Sequence, residues 1–305
     1  MKKINQKDKK VLVILGPTSS GKTFLALKIS ENIKNSVIIS ADSRQIYKYM
    51  DIGTGKVPIN SKIEIEKRDD HWKLNNTTVF GYDLVRPGDY FSAYDFMRYA
   101  RLKISTNETP ILVGGTGFYI DYTCGLIDVH NYYPNLEKRA ELESLTLDKL
   151  VEKLYEQAPN AAKSIDLRNK VRIIRALEKA GLTPTPIERP SFIPLFVGIS
   201  FERADLYARS DKWVEEIWQT GLVEETRNLI DMGFEESKQL NGIIYKTVKR
   251  YIFDEISQEE AKKLIKFEIH AYIRRQETWF KRNKLIKWYS PKELENSNTL
   301  NDLVK

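Results

Sequence analysis

Eight consecutive residues, Gly16-Pro17-Thr18-Ser19-Ser20-Gly21-Lys22-Thr23, have the types and spacing to hold phosphate. The pattern is GxxxxGKT, set between an apolar run, Val11–Leu15, and a helix-like segment, Phe24–Ile29. Strand, glycine-rich turn and helix are the context in which that pattern forms a P-loop. The glycines let successive N–H groups converge on phosphate oxygens, and the helix N-terminus adds its partial positive charge. Lys22 can neutralise outer phosphate charge, and the Thr23 hydroxyl can help hold Mg²⁺. The loop alone does not say whether the phosphate belongs to ATP.

A second chemical segment, Ser40-Ala41-Asp42-Ser43-Arg44-Gln45, ends the run Val37–Ser40. A carboxylate at that place can hold Mg²⁺ through water, take a proton from a nucleophile, or simply cap a following helix. Ser43 and Gln45 offer donors and acceptors suited to a base edge. Gly114-Gly115-Thr116-Gly117 allows a backbone to approach a ligand closely, with Thr116 and Tyr119 projecting from it. Arg172 and Arg175 share one helical face and either bind phosphate or pair with acidic neighbours such as Glu178. The stretch Arg274–Arg282 interleaves cations with aromatics and amides, a mixture suited to nucleic acid; the alternative is a buried Trp279 under a solvated charged face. None of His71, His130 and His270 has metal-ligand spacing.

The elements that must position these groups follow from periodicity. Val11–Leu15, Val37–Ser40 and Ile111–Val113 read as strands, and Ala93–Ser105, with Phe96, Tyr99, Ala100 and Ile104 on one face, as a crossover helix. Strands alternating with helices predict a three-layer α/β fold with a parallel sheet, and ligands in such sheets bind beyond the carboxyl ends of the strands. The P-loop, the Asp42 segment and the Thr116 segment should therefore meet in one cleft. From about Asn135 to Ala180 the spacing is helical, a linker with Pro184, Pro186 and Pro190 follows, and 192–199 reads as a strand rejoining the sheet. The expected organisation is a P-loop NTPase-like core opening over residues 1–125, a helical insertion over 126–190, and the rest of the core with C-terminal helices over 191–305. Gly221 and Gly233 are the expected helix stops.

Composition bounds the classes. At 305 residues, 41% hydrophobic and 30% charged, the chain can bury a sizeable core. Net charge is +7, and residues 241–290 hold twelve Lys/Arg against six Asp/Glu. That excess favours a polyanion, RNA or DNA ahead of a membrane surface, or else a solvated helix face. A single cysteine, Cys124, excludes a disulfide framework and a Cys-cluster zinc site and suits a reducing cytoplasm. No apolar stretch approaches the length of a membrane span. The start, Met1–Lys10, carries five lysines and reads as a loose basic tail.

Seven motifs in order resemble the tRNA dimethylallyltransferase family: GPTSSGKT at 16–23, SADSRQIY at 40–47 with DIGTGK at 51–56, FSAYDF at 91–96, VGGTGFY at 113–119, VRIIRALE at 171–178, GLVEE at 221–225 and RRQETWFKR at 274–282. The resemblance spans about residues 11–290 and implies alkyl transfer instead of phosphoryl transfer. A dimethylallyl group would move from dimethylallyl diphosphate to N6 of adenosine 37 in tRNAs reading codons that start with U. It implies Asp42 as general base, Thr116 as a substrate-positioning group, and Lys22, Thr23 and Mg²⁺ on the leaving diphosphate. Gly16–Thr23 and, by analogy, Arg209 would bind that diphosphate. The implied tRNA contacts are Asp42, Ser43, Arg44, Gln45 and Thr116 at the reacting base, and Arg172 and Arg175 in the insertion. Tyr245, Lys246, Arg274, Arg275, Gln276, Thr278, Trp279 and Lys281 complete them in the C-terminal helices. A cytoplasmic monomer gripping an anticodon stem-loop is implied. Three positions depart from the family pattern: Ile244 precedes Tyr245 where glycine is usual, Trp213 stands where arginine is usual, and Ala158 precedes Pro159 where aspartate is common.

Overall fold

The computed structural model describes residues 9–59, 62–127, 135–182 and 188–296. The basic start over residues 1–8, His130, Pro184 and Pro186 lie outside them. The elements are β1 (Lys10–Leu15), α1 (Lys22–Glu31), β2 (Ser36–Ser40), β3 (Ile65–Lys67), β4 (Trp72–Leu74), β5 (Thr77–Phe80), α2 (Ala93–Thr106), β6 (Thr109–Gly114) and α3 (Gly117–Thr123). Helices α4 (Leu136–Ser144), α5 (Leu147–Gln157), α6 (Pro159–Ala162) and α7 (Lys170–Lys179) follow. The chain continues through β7 (Ile193–Ile199), α8 (Arg203–Gln219), α9 (Leu222–Asp231), α10 (Ile243–Ile252), α11 (Gln258–Phe280), β8 (Lys287–Tyr289) and α12 (Pro291–Glu295).

Two compact units result, residues 1–127 with 190–305 and residues 128–189. The larger unit is built on one sheet of order β3-β4-β5-β2-β6-β1-β7-β8. It is parallel from β5 to β8, with β3 and β4 antiparallel at one edge. Strand β1 lies inside the sheet, between β6 and β7, where Val11–Leu15 is apolar on both faces and both are covered. Val11, Val13 and Leu15 pack with Ile39, Leu112 and Phe96 on one side. Leu12 and Ile14 pack with Ile29 of α1, Ile38 and Ile111 on the other. The three-layer α/β expectation therefore holds. The β3–β4 addition was not foreseen, since strands of three residues are too short to show alternation.

Register decides where the chemistry lands. Leu15 pairs with Gly114, and Ser40 with Val113, so β1, β2 and β6 end side by side. The next residues of each strand emerge at one edge of the sheet. There the Ala41 N–H donates to the Val113 carbonyl (2.6 Å), and the Thr116 N–H donates to the Ala41 carbonyl (3.2 Å). Gly114 sits so close that a Cβ on it would lie 2.1 Å from the Ala41 oxygen.

Helix α11 runs across this edge. It starts at a Ser257 cap and buries Ala261, Ile265, Ile269, Ile273, Gln276 and Phe280, a stripe at three- and four-residue spacing. Gly221 (φ 113°) and Gly233 (φ 84°) follow the last residues of α8 and α9 in left-handed conformation, as helix-stopping glycines do. The smaller unit packs α4, α5 and α7 around Leu142, Leu150, Leu154, Ile173, Ile174 and Leu177.

Replacing Gly114 by alanine forces the Cβ into a backbone carbonyl. The expected loss of stability is about 3 kcal/mol, the upper end for overpacking, and Tm reports it. An unchanged Tm contradicts the close approach.

Candidate active site

The phosphate loop is built as its sequence requires. Ser19 (φ 62°) and Gly21 (φ 82°) take left-handed conformations, a local geometry that aims successive N–H groups inward as an anion nest. Lys22 opens α1, is half-buried, and donates to the Pro17 carbonyl (2.5 Å). Burial pulls its ammonium down to about 8 from the ordinary lysine value, and the nearby negative charge of Asp42 opposes that shift. A group driven toward neutrality by burial gains most when an anion arrives beside it.

Asp42 faces this loop from the end of β2. No helix follows it; its Oδ1 accepts the Arg44 N–H (2.8 Å) and caps a turn. Thr116 braces the same turn. Its hydroxyl accepts the Ser43 N–H (2.9 Å), lies 3.2 Å from the Ser43 hydroxyl and bonds to Tyr272. Burial pushes the Tyr272 phenol up to about 12, so it stays neutral.

One cavity of about 590 Å³ joins these parts. Thr18, Ser19, Gly21, Lys22, Thr23, Asp42, Ser43, Arg44 and Arg209 line its polar part; Val57, Pro58, Ile59, Tyr82, Trp213 and Ile244 line its apolar part. Arg209 stands at the phosphate loop, its Nε donating to the Ser19 carbonyl (2.9 Å) and its guanidinium 5.0 Å over the Phe201 ring. Trp213 and Ile244, two of the positions read above as departures, thus add apolar surface to this cavity. Arg44 lies against Gly242, the residue before α10.

The residues assigned to RNA differ in exposure. Lys246, Arg274, Arg275, Thr278 and Lys281 are exposed, with Arg275 reaching the cavity and Arg274 donating to the Tyr207 hydroxyl (2.8 Å). Gln45, Tyr245 and Gln276 are buried, with their polar atoms engaged inside the protein; Gln45 and Tyr245 still line the cavity, whereas the Gln276 amide is taken up by backbone on both sides. Gln276 accepts the Thr18 N–H (2.8 Å) and donates to the Gly115 carbonyl (2.9 Å), tying the phosphate loop to the end of β6. Gln45 bridges Ser40 (2.6 Å) to the Thr54 and Gly55 carbonyls. Trp279 is half-buried and donates to Asp121 (2.8 Å). In the smaller unit Arg172 is exposed, while Arg175 (3.2 Å) and Arg139 (2.7 and 2.9 Å) share the buried Glu178 carboxylate. Their charges hold that carboxyl below the usual range against the effect of burial.

Two groups inside the motifs hold loops from within. Glu225 of GLVEE accepts three backbone N–H groups of the DIGTGK segment. Lys56, fully buried, donates to the Tyr47 carbonyl (2.7 Å), Asp51 (2.6 Å) and Asp83. A basic residue at the end of a glycine-rich segment reads as surface, and nothing local signals that two carboxylates enclose it.

A magnesium ion fits this donor set. Thr23 and Asp42 present hard oxygens to the same cavity, the Ser20 hydroxyl is buried without a partner, and no cluster of three acidic, histidine or cysteine ligands exists among the described residues. Mg²⁺ is ordinarily held by one or two protein oxygens together with substrate phosphates, which is what this arrangement offers.

Fold and site together define a transferase of the P-loop type, with a phosphate cradle facing a carboxylate across one cavity. The IPP transferase family matches residues 45–283, and isopentenyl transferase residues 9–77. This chain belongs to the IPP transferase family. It is 35% identical to a tRNA dimethylallyltransferase of Acetivibrio thermocellus, over 95% of this chain and 94% of that protein. It is 34% identical to that of Caldanaerobacter subterraneus over 92% and 91%. Among solved structures, the tRNA isopentenylpyrophosphate transferase of Bacillus halodurans superposes with a TM-score of 0.67 at 28% identity, covering 97% of this chain and 98% of that one. A eukaryotic dimethylallyltransferase described as acting on tRNA reaches 0.73 at 20% identity, over 96% of this chain and 77% of that one, a likeness of fold alone.

The Lys22 environment predicts a pH dependence. An alkyl diphosphate seated beside Lys22 would favour the protonated form, which is lost as pH rises through about 8. Affinity for a non-reactive dimethylallyl diphosphate analogue should fall about tenfold between pH 7 and pH 9 by calorimetry, and Lys22→Arg should remove the fall. An equal decline in both proteins removes Lys22 as the titrating group.

Proposed function

We propose that this chain transfers a dimethylallyl group from dimethylallyl diphosphate to N6 of adenosine 37 in tRNAs that read codons beginning with U. The observation that carries the reading is the placement of Lys22 and Asp42 in one cavity whose other wall is apolar. A kinase cleft has to take a nucleotide and a phosphoryl acceptor. This cavity instead offers a diphosphate cradle continuous with space for a short hydrocarbon.

The reaction then runs as an alkyl substitution. The N6 nitrogen attacks C1 of the dimethylallyl group, the C1–O bond breaks, and the bonding pair leaves with the diphosphate. Asp42 takes the proton from N6. The loop N–H groups and Lys22 meet the charge that accumulates on the departing diphosphate, with Arg209 beside them. Thr23, with Asp42 near by, would hold Mg²⁺, which when bound would supply further charge stabilisation to the leaving group. Thr116 and Tyr272 keep the Asp42 turn in place. An adenine can reach a carboxylate at this depth only by leaving the anticodon stack, so base flipping accompanies the reading.

Exposed Lys246, Arg274, Arg275 and Lys281 provide cations for the RNA backbone, and Arg172 of the helical unit adds another for the anticodon stem-loop. No helix among the described residues is long and apolar enough to cross a membrane. A cytoplasmic enzyme suits the buried, free Cys124, and we take it to act as a monomer.

Asp42→Asn should lower single-turnover transfer to a tRNA by a factor on the order of 10²–10⁴ while tRNA affinity stays within about threefold. Near-normal turnover removes Asp42 as the base. Arg274→Ala with Arg275→Ala should weaken tRNA binding and flatten its salt dependence by about one to two charges' worth of slope. An unchanged slope places the RNA elsewhere.

A further inference from the structure

The loop from Asp51 to Gly55 has no regular secondary structure, yet Gly53, Thr54 and Gly55 form part of the cavity wall. Its shape is set from a distance. Glu225 lies in the first turn of α9, and its Oε2 accepts the N–H groups of Asp51 and Ile52, both at 2.7 Å. Its Oε1 accepts the Gly53 N–H (3.0 Å) and the Tyr245 hydroxyl of α10 (2.7 Å). Four donors on one carboxylate form a set of charge-assisted hydrogen bonds, stronger than neutral ones. Tyr245 then closes over the loop so tightly that a Cβ at Gly53 would lie 2.6 Å from its ring and hydroxyl.

Three successive N–H groups turned to one point make an anion nest of the same kind as the phosphate loop. The cavity wall therefore carries two such nests. One is open for a diphosphate, and the other is filled by the protein's own carboxylate.

The far side of the loop leads to the reacting groups. The Thr54 and Gly55 carbonyls accept the Gln45 amide (3.2 and 2.9 Å), and the Gln45 oxygen accepts the Ser40 hydroxyl (2.6 Å). Ser40 and Gln45 bracket Asp42. Lys56 pins the loop's end through Asp51, Asp83 and the Tyr47 carbonyl. A continuous path of hydrogen bonds thus runs from α9 and α10 through the loop to the turn that carries the base.

We propose that Glu225 is a positioning residue for the transfer reaction, holding the Asp51–Gly55 loop so that Gln45 fixes the Asp42 turn against the cavity. This rests on the prenyl-transfer reading above. Glu225→Gln keeps the shape but turns N–H₂ toward backbone N–H donors, so a residue acting by shape alone would tolerate it. The expected result is a fall in kcat of ten- to a hundredfold, with KM for dimethylallyl diphosphate moving less than threefold. The exposed neighbour variant Glu224→Gln should remain at wild-type kcat.

Because the two residues act in series, Glu225→Gln combined with Gln45→Leu should be no slower than the slower single variant. Amide hydrogen exchange at Ile52 and Gly53 should accelerate at least tenfold in Glu225→Gln. Wild-type kcat in Glu225→Gln, single effects that multiply in the double variant, or unchanged exchange each overturn the proposal. A wild-type protein that makes no prenylated RNA overturns the transfer reading instead, and the exchange measurement still decides the role of Glu225.

Discussion

The contact between the ends of β2 and β6 governs the rest of the molecule. Gly114 presses on the Ala41 carbonyl at a distance no side chain permits, and that carbonyl accepts the Thr116 N–H. Two parallel strands are thereby locked together one residue beyond their last rungs. Asp42 leaves one of them and Thr116 the other, so the carboxylate and its brace are placed by backbone geometry before any side chain chooses a rotamer. The phosphate loop leaves the adjoining strand β1 at the same level. A charge-rich cleft at the carboxyl edge of a parallel sheet follows from that register.

Helix α11 turns this edge into a site. Along its last turns Tyr272 reaches Thr116, Gln276 spans Thr18 and Gly115, and Trp279 reaches Asp121 of α3. Each is a polar atom satisfied inside the protein, where leaving it unpaired is unfavourable. The other face of those turns carries Arg274, Thr278 and Lys281 toward solvent, while exposed Arg275 reaches the cavity mouth. The surface offered to a polyanion and the frame of the cavity are therefore one rigid element, so RNA seated on the helix lies in fixed relation to Asp42.

The core was legible because its signals are strong and local. Val11–Leu15 followed by GPTSSGKT admits few other folds, and Val37–Ser40 and Ile111–Val113 supply the neighbouring strands. The residues that misled are those whose partners lie far along the chain. Gln276 reads as an RNA contact inside RRQETWFKR, yet its amide bridges two backbone segments more than a hundred and fifty residues away. Glu225 and Lys56 carry no sign in their own neighbourhoods that they are enclosed, because both are satisfied by long-range loop contacts that periodicity does not encode. Strands β3, β4 and β8, of three residues each, fall below the length at which alternation can be read.

The central claim is that this phosphate loop releases a diphosphate from carbon and passes no phosphate on. The direct measurement is nucleoside mass analysis of an anticodon stem-loop containing A36-A37-A38 after incubation with the protein, Mg²⁺ and dimethylallyl diphosphate. The account predicts one five-carbon prenyl group on A37, released diphosphate equal to the prenyl groups added, and no product with Asp42→Asn. RNA that is bound but recovered unmodified, or phosphorylated when ATP is offered instead, contradicts it.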